Sequence, residues 1–314
     1  MRVKLNLIFL LLVFITVLNG CASTLDQDDA LAVVPYHIVS DGRIVVEARV
    51  NDQGPFAFAL DTGASISVIF DKLRDELELE TSSQSVIIHS LFASDTFPLL
   101  AVDSLQLGQE TWAKPRIVAL PGETGAATSI DGVLGIDFLR QYAVGFSAED
   151  HAVRLYSPDI VRDRSYRGWA VVPLTSKSIG SGRASLYFFD VTINGRTVSA
   201  LFDLGTGVNL INWPAARELR LKPLDQTADD ILSGAVKSAL IAAELNAKNV
   251  MTAGIRWRNE VFLIADLEIF SVLQQDDLPL VILGSRLFNQ RDFIIDFVRN
   301  RLLVKVSMRE IDGG

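Results

Sequence analysis

Asp61-Thr62-Gly63-Ala64-Ser65 and, 142 residues on, Asp203-Leu204-Gly205-Thr206-Gly207 are two versions of one turn. Each follows an apolar run (Phe56 to Leu60; Val198 to Phe202) and leads into another (Ile66 to Phe70; Val208 to Ile211). A single aspartate on a glycine-containing turn is ordinary. Two of them in matched surroundings argue for a duplicated unit that presents two carboxylates.

The match extends outward from the turns. Ala32-Val33-Val34-Pro35 recurs as Ala170-Val171-Val172-Pro173, Gly42-Arg43 as Gly182-Arg183, and Val50-Asn51 is echoed by Ile193-Asn194. Downstream, Glu76-Leu77 and Leu79 recur as Glu218-Leu219 and Leu221. Late in each half come an apolar pair and a glycine, Val133-Leu134-Gly135 and Ile282-Leu283-Gly284. A period near 140 residues is longer than that of solenoid repeats and indicates two duplicated lobes.

With these residues in view, the chain resembles the two-lobed aspartic proteases of the pepsin and retropepsin type, in a bacterial form whose lobes each keep a retropepsin-like pattern. The resemblance covers nearly everything after about residue 30. It implies an all-β fold of two homologous β-barrel-like lobes with a few short helices. In that family each lobe supplies one aspartate on an Asp-Thr/Ser-Gly turn, beside which an apolar-apolar-Gly segment threads. The first lobe matches at Asp61, Thr62, Gly63, Val133, Leu134 and Gly135; the second matches at Asp203, Gly205, Ile282, Leu283 and Gly284 and departs at Leu204.

The chemistry follows from the residue types. Peptide hydrolysis without a metal or a covalent nucleophile needs a base to activate water and an acid to protonate the substrate. Two carboxylates a few ångströms apart can do both, because like charges that close cannot both ionise and one proton is shared. Asp61 and Asp203 are the candidate catalytic pair. Gly63 and Gly205 are expected to allow close backbone approach and positive φ. The resemblance implies that Thr62 hydrogen-bonds across to the opposite loop and that Ser65 supports Asp61, leaving Thr206 or the Gly207 backbone to serve Asp203. Gly135 and Gly284 complete the support. Leu204 cannot donate a hydrogen bond, so half of the reciprocal grip between lobes is expected to be missing. Residues 81–104 contain neither glycine nor tyrosine, unlike the family's covering flap, yet Ser85 to Leu100 is still the expected flap hairpin, with Ile231 to Ala242 its counterpart. Asp131, Asp137, Asp292 and Asp296 read as structural.

Composition narrows the alternatives. Lysine and arginine total 29 against 38 acids, with no basic stripe, which argues against nucleic-acid binding. The three histidines, His37, His89 and His151, have no metal-ligand spacing, so neither metal nor cofactor is expected. Arg2, Lys4 and the apolar run Leu5 to Leu18 form a leader too short to span a bilayer as a helix. Leu18-Asn19-Gly20-Cys21, with the chain's single cysteine, resembles a bacterial lipobox. Cleavage before Cys21 and its lipidation are implied, placing the protein on a membrane of the bacterial envelope and facing the periplasm or exterior. An ordinary secretory signal that happens to contain a cysteine is the alternative.

The expected organisation is a leader over 1–20, an acidic tether over 21–30, a first lobe over 31–157, a charged linker over 158–168 and a second lobe over 169–314. Short strands are expected at Ile44 to Val50, Phe56 to Leu60, Ile66 to Phe70, Ser85 to His89 and Val153 to Tyr156. Helices are expected at Asp71 to Leu79, Pro214 to Leu221, Asp137 to Tyr142 and Arg286 to Arg291. Since one chain carries both aspartates, it is expected to act as a monomer on a peptide or protein substrate. Two functions remain open from sequence. One is an active endopeptidase; the other is a catalytically weak protease-fold lipoprotein that binds peptides or envelope partners. Leu204 divides them.

Overall fold

The computed structural model describes residues 29–122, 130–162, 166, 168–179, 184–222, 231–233 and 238–306. The leader, Cys21 and most of the tether lie outside the described residues. What is described is strand-dominated and two-lobed, with a few short helices.

A six-strand antiparallel sheet joins the halves. Its order is Trp169–Pro173, Arg301–Lys305, Phe293–Asp296, Ala143–Ser147, Ala152–Tyr156 and Ala32–Ile38. The repeated Ala-Val-Val-Pro segments are its two outer strands, with Ala32 opposite Leu155 and Ala170 opposite Val304. Alternation explains the segment: Ala32 and Val34 are buried while Val33 faces outward, and Ala170 and Val172 repeat the pattern. At the centre Phe146 stacks on Phe293 with ring centroids 4.2 Å apart.

Each lobe then builds the same device. In the first, the hairpin Ile44–Val50/Gln53–Leu60 carries Asp61 on its end. Gly132–Leu134 threads beside it, parallel to Gln53–Leu60 and antiparallel to Val68–Phe70. In the second, Ala184–Ile193/Arg196–Asp203 carries Asp203, and Val281–Gly284 threads in parallel, with Asp203 opposite Gly284. Strands buried on both faces read as continuous apolar runs, which is what Val68–Phe70 and Val281–Gly284 are.

Several elements differ from expectation. The helix expected over Asp71 to Leu79 stops at Glu76, and that expected from Pro214 runs Trp213–Glu218, with Asn212 capping it by accepting the Ala215 N–H at 2.9 Å. The helix expected over Asp137 to Tyr142 is the single turn Ile136–Leu139, ended by the strand that starts at Ala143. The one expected over Arg286 to Arg291 is a 3-10 turn, Ser285–Leu287, because Trp257 Nε1 takes the Leu287 carbonyl at 2.8 Å. In the segment 158–168, expected to be a charged linker, Pro158–Arg162 is helical and Val161 is wholly buried. The helix Glu268–Val272 was not anticipated; Ile269 and Phe270 bury one side of it.

Candidate active site

The two Asp turns meet face to face. A Cβ on Gly63 would lie 2.6 Å from the Asp203 Cγ, and one on Gly205 would lie 2.1 Å from the Asp61 Cγ. Each glycine is therefore required by the carboxyl of the opposite lobe. Neither adopts a positive φ, contrary to expectation; the constraint is space, not backbone conformation.

The carboxyls face one another across the lobe boundary, each against the opposite glycine, close enough to perturb each other's ionisation. Each is also held by amides of its own turn. Asp61 Oδ1 accepts Gly63 N–H at 2.7 Å and Ala64 N–H at 2.9 Å. Asp203 Oδ1 accepts Gly205 N–H at 2.9 Å, and the nearby Thr206 amide eases its charge. The expected help from the Ser65 hydroxyl is not what holds Asp61; the Ala64 amide does that work. Thr206 likewise serves Asp203 through its backbone, while its hydroxyl folds back toward Val208 at 3.4 Å.

Burial pushes both carboxyls above the usual range. For Asp61 the amide hydrogen bonds and the buried Arg43 guanidinium oppose the rise. Asp203, 4% exposed, is pushed much higher, because the Asp61 charge adds to burial. Two carboxyls this close share one proton at pH values where isolated carboxylates have lost theirs.

Thr62 is wholly buried and grips the opposite lobe as expected. Its hydroxyl donates to the Phe202 carbonyl and accepts the Leu204 N–H, both at 2.9 Å. Leu204, also wholly buried, has no oxygen with which to return that pair of bonds.

The threading glycines are equally constrained. A Cβ on Gly135 would lie 2.7 Å from the Ala64 carbonyl, and one on Gly284 would lie 2.4 Å from the Val208 carbonyl. Their amides bond to side chains that the sequence reading missed: Gly135 N–H to Ser67 Oγ at 3.0 Å, and Gly284 N–H to Asn209 Oδ1 at 3.1 Å. Ser67 and Asn209 stand 142 residues apart, the spacing of the aspartates, and are polar among apolar neighbours. That coincidence was the available signal. Asp137 backs Ser67, accepting its hydroxyl at 2.7 Å.

The hairpin Thr81–His89/Ser94–Leu100 is present where the flap was expected. Its tip is tied by Ser90, whose hydroxyl accepts the Phe92 and Ala93 amides. The Leu91 carbonyl accepts the Ile269 N–H at 3.2 Å, so the tip reaches the second lobe. The counterpart strand Ile231–Ser233 pairs with Ser238–Thr252, and the turn between them lies outside the described residues. Among the described residues no group of histidine, cysteine and carboxylates is arranged to hold a metal.

A family model described as aspartyl protease matches residues 46–138 and 189–287, one stretch in each lobe and more than half of the chain. The chain belongs to the aspartyl protease family. Both matched stretches contain the Asp turn, the strand after it and the threading glycine. Among solved structures, the crystal structure of basic 7S globulin from soybean is similar, at 11% identity and a TM-score of 0.47, covering 90% of this chain and 96% of that one. A search of curated proteins returned no match.

Proposed function

We propose that this member of the family is an aspartic endopeptidase that hydrolyses peptide bonds with a water activated between Asp61 and Asp203. The observation that carries this reading is the face-to-face placement of two buried carboxyls, each against the glycine of the opposite turn and each accepting a backbone N–H of its own turn. Asp61, whose charge is eased by two amides and Arg43, is the base. It takes a proton from the water as the oxygen attacks the peptide carbonyl. Asp203 gives its proton to the carbonyl oxygen. Asp61 then returns the proton it took to the departing nitrogen as the C–N bond breaks, and Asp203 recovers its own from the collapsing diol. No metal or cofactor enters the cycle.

The substrate is a peptide or protein chain in extended form between the lobes. One chain holds both aspartates, so the monomer is the working unit. Cys21 would carry the lipid and hold the enzyme on an envelope membrane; several acyl chains would make that attachment stable. Radiolabelled palmitate entering the protein, and not its Cys21→Ser variant, is the expected result for that anchor.

The function is tested on protein lacking the leader, against a diverse peptide library between pH 4 and pH 8. Cleavage is expected with a bell-shaped profile. Its acid limb reflects protonation of Asp61, and its alkaline limb, above the usual carboxylate range, reflects loss of the Asp203 proton. Asp61→Asn and Asp203→Asn should each lower kcat by about 10²–10⁴-fold. A wild-type chain that cuts nothing but binds peptides would favour the alternative of a weak or inactive, peptide-binding lipoprotein.

A further inference from the structure

Leu204 leaves the Asp203 turn without the side-chain bond that Thr62 gives in the other direction, yet that turn is held across the lobe boundary in a different way. Ser285, wholly buried directly after the second threading glycine, points its hydroxyl at the Gly42 carbonyl of the first lobe at 2.8 Å and at the Thr206 carbonyl at 3.1 Å. The Ser285 N–H also bonds to the Thr206 carbonyl at 2.8 Å. Asn289 Nδ2 donates to the same Gly42 carbonyl at 2.9 Å, and Arg286 Nη2 donates to the Asp41 carbonyl at 3.1 Å. The fit is tight: a Cβ on Gly207 would lie 1.7 Å from the Asp41 carbonyl oxygen, and Gly42 needs a φ of +102°. In the first lobe the position equivalent to Ser285 is Ile136, which can make no such bond.

We propose that Ser285, aided by Asn289, is a positioning residue for Asp203: a cross-lobe latch that does what a hydroxyl at position 204 would do. The route is short. Thr206 belongs to the Asp203 turn, where the adjacent Gly205 amide holds the carboxylate; its carbonyl accepts from Ser285, and Ser285 joins that turn to the Val39–Arg43 turn of the first lobe. That turn also carries Arg43, which is ion-paired to Asp41 and whose charge reaches Asp61. One latch therefore sets the second aspartate and the cation beside the first. The inference rests on the proposed hydrolase for its catalytic meaning, but the positioning itself can be read without turnover.

The experiment compares the full chain with Ser285→Ala, Leu204→Thr and the double variant. Kinetics on a cleaved peptide are measured alongside carboxyl 13C NMR titration of Asp61 and Asp203, assigned with Asp61→Asn and Asp203→Asn. Ser285→Ala should lower kcat by about 10–100-fold with little change in KM, the effect expected when a reacting group is misplaced. It should also move the apparent pKa values of the pair by about one unit. Leu204→Thr, which restores the missing hydroxyl, should recover most of both changes in the double variant. A folded Ser285→Ala chain whose kcat and titration match the wild type overturns the latch. So does a variant that merely melts earlier and gains nothing from Leu204→Thr. If the wild type cleaves no peptide, the hydrolase reading fails, and the titration of the pair alone decides the latch.

Discussion

At the scale of single residues, the site depends on atoms that are absent as much as on those present. Gly205 exists because the Asp61 carboxyl occupies the place of its Cβ. Gly205→Ala should therefore leave the fold standing but force the carboxyls apart, lowering kcat/KM by about 10²-fold or more; an alanine variant with wild-type kinetics would refute the contact. Thr62 is the complementary case. Replacing it with valine strands the buried Leu204 N–H and removes the donor to Phe202, both now at 2.9 Å. Urea unfolding should register a loss of about 1–3 kcal/mol, with kcat falling more than KM. Asp61, Gly63, Asp203 and Gly205 were readable because duplication repeats them at one spacing, whereas Thr62, whose counterpart is Leu204, was readable only through the family resemblance. Ser65 was misjudged and Ser67 overlooked for a related reason. Which of two serines in a turn faces inward is set by backbone direction, and the residue types do not encode it.

At the scale of elements, alternation and turn residues placed the strands well. Ile44–Val50 runs as its pattern indicates, and the flap hairpin expected over Ser85 to Leu100 from the family resemblance is present as Thr81–His89/Ser94–Leu100. Short helices were harder, since an element of four or five residues has too few positions to display a 3.6-residue period. Pro158–Arg162 and Glu268–Val272 are of that kind, and their existence is decided by what they pack against. The second of these matters to the flap, because its Ile269 receives the tip. Phe92 at that tip is 8% exposed in a hairpin whose first strand is largely solvent-facing. Phe92→Ala should therefore loosen the hairpin locally. Amide hydrogen exchange over 85–100 should accelerate about tenfold or more, while the central six-strand sheet keeps its protection. Uniform acceleration across both would mean that the tip is part of the global core and not a separately opening unit.

At the scale of the whole molecule, the two halves are copies that have exchanged duties. The first gives the grip through Thr62; the second gives the latch through Ser285 and Asn289. Burying two carboxyls at the meeting point has a cost that depends on pH, and its sign can be worked out. Asp61 and Asp203 are both raised by burial, Asp203 further by the charge of Asp61. The folded chain thus keeps protons that the unfolded chain releases at ordinary carboxylate pH. The stability this contributes is complete below the unfolded carboxylate range and is lost as pH rises through the folded values. Asp137 and Glu260, also raised by burial, add slope of the same sign, so the pair must be isolated by difference. Thermal midpoints of the wild type should fall between pH 4 and pH 8 more steeply than those of Asp203→Asn, whose side chain at that position has no proton to lose. An equal or steeper fall in the variant would show that the carboxyl at 203 holds no extra proton in the folded state. The assignment of Asp203 as the acid would fall with it.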